Sequence, residues 1–170
     1  MIPPDSAHDL PRLQAALQAL FPDPAGVRRV LNLGCGAFPE ANLLRQCFPA
    51  AQLLGIDRDH RALRAVPGVA LLVGEGERLP FGDEVRFELV LVRHPDVDRD
   101  SVAWGRVGAA VPARLVGNGR VLVSCYAAHE GAVLRDGLLR GGAVPLALPG
   151  GLPAVDLAGR DRILLVFGAV

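Results

Sequence analysis

Three groups of residues in this sequence have the types and spacing that chemistry needs. Gly34 and Gly36 flank Cys35 directly after the apolar residues Val30, Leu31 and Leu33. Glycines there leave the main chain bare and open to backbone angles closed to other residues, so a ligand can come close. Asp57 ends a second apolar run, "AQLLGID", twenty-one positions after Gly36. A carboxylate at such a strand end can accept both hydroxyl protons of a ribose. The third group, Arg93-His94-Pro95-Asp96, follows the run "FELVLV". The His94 imidazole can take a proton from an attacking hydroxyl or amine near neutral pH, and Asp96 could orient it or hold a substrate.

Each group needs an element to hold it. Val30 to Leu33 read as a strand, while Ala41, Leu44 and Phe48 have the spacing of a helix's buried face, with Pro39 suited to its first turn. Strands follow at "AQLLGID", at "GVALLV" and, with both faces covered, at Leu89 to Val92. Asp59 is placed to cap a short helix between the second and third of these strands. The stretch 97–115 reads as a helix that Pro112 kinks or breaks, Gly117-Asn118-Gly119 as a turn, and "GRVLVSCY" as a fifth strand. A helix over 131–139 closes at Gly141-Gly142, before two strands, "AVPLAL" and "RILLVFGAV", with no helix between them. Those two form a candidate antiparallel pair, and Pro145 puts the first at a sheet edge. Near the N-terminus Leu10, Leu13, Leu17 and Leu20 share one face of a helix over about 8–21, which should cover the sheet or the ligand mouth.

Composition narrows the classes. One domain spanning 1–170 is expected from the length, and 51% hydrophobic with 21% charged residues is globular. A net charge of zero gives no reason to expect a nucleic-acid partner. All 18 basic residues are arginine, which excludes Schiff-base chemistry and the lysine-bearing phosphate loop. The three cysteines, Cys35, Cys47 and Cys125, lack paired spacing, so neither a disulfide framework nor a metal site is indicated. No apolar run reaches the roughly 18 residues of a membrane span and the first residues show no export-like pattern, so a cytoplasmic protein is expected.

Seven strands, helices among the first five and an antiparallel end pair resemble a class I S-adenosylmethionine (SAM)-dependent methyltransferase. "VLNLGCG" resembles the first motif of that family, "GIDRD" the acidic end of its second strand, "GEGERLPF" the stretch that holds the adenine, and "FELVLVRHP" the fourth-strand motif. The resemblance covers residues 27–126, and the last strands by pattern. It implies an α/β fold: a Rossmann-like, doubly wound, mostly parallel seven-stranded sheet with an antiparallel C-terminal pair and helices on both faces. It further implies SAM as cofactor, contacted by Asn32, Gly34, Cys35, Gly36, Asp57, Arg58, Glu75, Gly76, Glu77 and Arg93. His94 would be the base, Asp96 would face the substrate, and the methyl acceptor would be a small molecule bearing a hydroxyl or amine. The sequence departs from the family at Asn32, where an acid is usual, and at Phe38, where a third glycine often stands. The Asn-Pro-Pro-Tyr signature of amide- and adenine-methylating enzymes is replaced by Arg93-His94-Pro95-Asp96. These departures leave open a second reading, a catalytically silent SAM-binding or interaction module. A nicotinamide-binding turn is disfavoured, because Pro39 stands where G-x-G-x-x-G needs its last glycine.

Overall fold

A computed structural model of the chain describes residues 6–156 and 158–169. The first five residues, where the sequence shows no export-like pattern, lie outside the described residues. Seven strands form one sheet: β1 (Arg29–Leu33), β2 (Gln52–Asp57), β3 (Val69–Val73), β4 (Phe87–Arg93), β5 (Leu115–Cys125), β6 (Val144–Leu146) and β7 (Ile163–Gly168). Among the described residues four α-helices accompany them: α1 (Ser6–Leu20), α2 (Ala41–Cys47), α3 (Ser101–Ala110) and α4 (Ala128–Arg140). The strand order is β3-β2-β1-β4-β5-β7-β6. Strands β1 to β5 run parallel, and β7 lies antiparallel to both β5 and β6. Pro145, which cannot donate to a ladder, sits in β6 at the sheet edge.

Side chains of a strand alternate between faces, and the sheet is covered on both. Leu89 and Leu91 of β4 pack with Leu13 and Leu17 of α1 and Leu44 of α2. Val90 and Val92 pack on the other face with Val107 of α3 and Leu134 and Leu138 of α4. All of these residues except Val107 are at most 1% exposed, so β4 is the buried spine that carries Arg93 and His94 to the sheet's carboxyl edge.

Three local readings are corrected. Pro39 does not enter the first helical turn: α2 begins at Ala41 with Glu40 as its N-cap, so Pro39 belongs to the preceding turn. No helix forms between β2 and β3: the Asp59 side chain accepts the Arg61 N–H at 3.0 Å, which closes a turn, and Pro67 and Gly68 lead straight into β3. Gly117-Asn118-Gly119 does not turn the chain. It is a bulge inside β5, where the register jumps from Phe87 opposite Leu115 to Leu89 opposite Arg120. Pro112 does break its helix, and the chain continues as a 3-10 turn over Val111–Arg114.

Candidate functional site

At the carboxyl ends of β1, β2 and β4 lies a cleft of about 200 Å³ whose far wall is α3. Its floor is the glycine turn. The N–H groups of Gly34 and Cys35 donate to the Ile56 carbonyl at 2.8 and 3.1 Å, which ties the end of β1 to the end of β2. Gly34 and Gly36 take φ of +68° and +51°, the left-handed conformation that glycine adopts without strain. Asp57 crosses the gap: one carboxylate oxygen accepts the Gly36 N–H at 2.8 Å, the other the Asp59 N–H at 2.8 Å. An ionised carboxylate has about four acceptor sites, so Asp57 is fixed in place with capacity left for a ligand.

Beneath the cleft lies a buried ionic cluster built from distant parts of the chain. The Arg93 side chain turns inward, where its guanidinium pairs with Glu40 at the start of α2, with Asp161 at 3.0 Å and with Asp9 of α1 at 3.7 Å. Asn32 donates to the other Glu40 oxygen at 3.2 Å. Asp9 accepts the main-chain N–H groups of Arg160 and Asp161, so α1 and the loop before β7 are fastened together. Ser124 of β5 donates its hydroxyl to Asp161, and His94 Nε2 lies 2.6 Å from the same Asp161 oxygen. Burial disfavours the charge on Arg93, but Glu40 and Asp161 more than offset it and hold the group above its ordinary range. Burial likewise pushes the Asp161 carboxyl up, yet the His94 hydrogen bond, the Arg93 charge and Ser124 together hold it below its ordinary value. Donor atoms of Asp9, His94 and Asp161 lie within 4.8 Å of one another, a spacing a cation could bridge. The Arg93 guanidinium already supplies positive charge to both carboxylates.

Of the residues selected from sequence, Gly34, Asp57, Arg58, Glu75, Gly76, His94 and Asp96 line the cleft together. Asn32 and Arg93 are buried in the ionic cluster, and Gly36 does not line the cleft but donates its N–H to Asp57, which does. Cys35 is buried, with its thiol pushed up to about 12 by burial and by Asp57 and Glu40, so it stays protonated. Glu77 faces Arg106, at 3.7 Å, rather than the cleft. His129 pairs with Asp98 at 2.8 Å in the first turn of α4. Sequence reasoning missed Asp9, Glu40, Ser124 and Asp161, whose partners lie far away in the chain. It also missed Trp104 as a cleft wall. A Cβ on Gly34 would sit 3.0 Å from the Trp104 ring, and one on Gly76 would sit 3.0 Å from Val107, so α3 packs tightly over the turn.

The strand order, the antiparallel β7 and the placement of the cleft define the class I SAM-dependent methyltransferase fold. Among solved structures the chain is similar to the sugar N-methyltransferase KedS8 from Streptoalloteichus sp, with 13% identity and a TM-score of 0.71 over 98% of this chain and 88% of that one. It is similar also to a TehB-like SAM-dependent methyltransferase from Corynebacterium glutamicum, with 19% identity and a TM-score of 0.63 over 91% and 88% of the two chains. For DesVI of Streptomyces venezuelae the identity is 13% and the TM-score 0.66, over 98% and 94%. At these identities the likeness is one of fold. No protein-family model matches the chain, and neither does any curated protein sequence.

Proposed function

We propose that the chain is an enzyme that transfers a methyl group from SAM to a small-molecule acceptor bearing a hydroxyl or amine. The observation that carries this reading is Asp57, locked across the Gly34–Gly36 turn at the carboxyl end of β2, where a ribose would meet it. The donor set fits the cofactor. Asp57 and Glu75 offer acceptors to the ribose and to the exocyclic amine of adenine, and Leu33, Ile56 and Val107 offer apolar walls. At about 200 Å³ the cleft is smaller than the roughly 300 Å³ at which ligand pockets usually begin, so this reading requires α3 to move outward on binding. The neighbours named for methyl transfer share this fold and lend support.

When bound, SAM supplies an electrophilic methyl group on a sulfonium. The chain's task is then alignment and removal of a proton. Asp57 and the glycine turn orient the nucleoside, and displacement gains chiefly from that positioning. His94, at the mouth of β4, takes the acceptor's proton. With a panel of phenols, alcohols and amines assayed by release of S-adenosylhomocysteine (SAH), His94→Ala should keep SAH affinity and lower turnover about a hundredfold. Unchanged turnover in the variant would leave His94 as a wall of the pocket. Asn32, buried and bound to Glu40 where the family usually has an acid, favours the second reading, a catalytically silent binding module. Binding of SAH with no acceptor methylated would select it.

A further inference from the structure

Resting on the methyl-transfer reading, we propose that Asp161 is a positioning residue for His94: it fixes the imidazole proton on Nε2 and leaves the Nδ1 lone pair as the base facing the cleft. Sequence spacing offers the neighbouring Asp96 either to orient the imidazole or to hold a substrate. The geometry assigns the task to a residue 67 positions away.

Four observations support the assignment. His94 Nε2 is 2.6 Å from an Asp161 oxygen, the short contact of a charge-assisted bond. Asp161 is 3% exposed and further bound by Arg93 and Ser124, so its carboxylate cannot swing away. A carboxylate only accepts, so the hydrogen belongs to Nε2 and the neutral ring carries its lone pair on Nδ1. Nδ1 has no protein partner among the described residues and is not among the buried unpartnered atoms, and His94 lines the cleft. The backbone supports this aim: His94 has φ +49°, a left-handed conformation that turns its side chain off the line of β4, fixed by its N–H donating to the Ser124 carbonyl at 2.9 Å.

The step balances. The acceptor's proton passes to Nδ1 while its heteroatom takes the methyl group in place of sulfur, which keeps the electron pair of the broken carbon–sulfur bond. The imidazolium, stabilised by Asp161, then returns its proton to water. The charged groups around the ring are Asp161, Asp9 of α1 at 3.9 Å and Arg93 before it, and the cleft that His94 lines also holds Asp57, Arg58, Asp59, Glu75, Asp96 and Arg99.

The test combines imidazole NMR with kinetics. In the full chain labelled at histidine nitrogen, with the His94 signals assigned by His94→Gln, the neutral ring should carry its proton on Nε2 with or without SAH. A proton on Nδ1 would overturn the proposal whatever the protein's activity. Asp161→Asn should lower kcat about tenfold to a hundredfold, with KM and SAH affinity within about twofold, and move the inflection of the pH profile down. Asp161→Glu should restore part of both. A profile that stays in place in a folded Asp161→Asn would make the residue merely structural. Should Asp161→Asn fail to fold, the parent's tautomer still decides. Failure of SAH to bind would instead strike the methyl-transfer reading, while the tautomer is read independently.

Discussion

Phe38 shows how a residue can violate a local rule and keep the fold. It holds φ +52° at the end of the glycine turn, a conformation that costs an L-residue about 1–2 kcal/mol, yet its side chain is 2% exposed in the core formed with α1 and α2. Burial of the ring outweighs the strain. Phe38→Ala should therefore cost the usual 3–5 kcal/mol and keep the strain, whereas Phe38→Gly should be about 1 kcal/mol less destabilising in urea titrations. Glycine doing no better than alanine would contradict this account. Arg93 is the second such residue, a buried cation among three carboxylates. Arg93→Met should cost about 3–5 kcal/mol because the acids are left uncompensated, and a near-neutral result by urea titration would remove the cluster from the stability argument. The pH dependence follows from Asp161. Its carboxyl titrates lower in the native state than its ordinary 3.8, so the stability it gives is full above that value and is lost as pH falls through the native one. Between pH 5 and 3 the urea midpoint should fall more steeply in the parent than in Asp161→Asn.

The elements were largely legible, because period and punctuation report local structure. Alternation and apolar runs marked all seven strands, and Pro145 and Gly141-Gly142 marked an edge and a helix end. The misreadings have one cause: a local signal used for another purpose. Asp59 closes a turn instead of a helix, and the Gly117-Asn118-Gly119 bulge is set by pairing with β4, a partner the local sequence does not reveal. The site was half legible for the same reason. Gly34, Asp57 and His94 sit on motifs, whereas Asp9 and Asp161 meet Arg93 only after the chain has folded. Helix α3 carries the element-scale prediction. Trp104 is the sole tryptophan and lines the cleft, so its fluorescence reports on that site alone. SAH should change its intensity or emission maximum as α3 gives way over Gly34. Calorimetric binding with no change in Trp104 emission would place the ligand elsewhere.

At the scale of the whole molecule, topology chooses the place for a ligand. The order runs outward from β1 to β3 on one side and from β4 to β5 on the other, so the crossover between β1 and β4 opens a crevice at the strands' carboxyl ends. The N-terminal helix and the C-terminal loop meet beneath that crevice through Asp9 and the main chain of Arg160 and Asp161, which couples the ends of the described chain to the site. No helix among the described residues is long and apolar enough to cross a membrane. On the methyl-transfer reading, this crevice binds SAM through Asp57. Calorimetric titration of SAH, with NAD as control, tests it most directly. SAH should bind in the micromolar range and raise the melting temperature, NAD should not, and Asp57→Ala should weaken SAH binding by about 1.5–3 kcal/mol. No heat and no thermal shift at saturating SAH, or undiminished affinity in a folded Asp57→Ala, would contradict it.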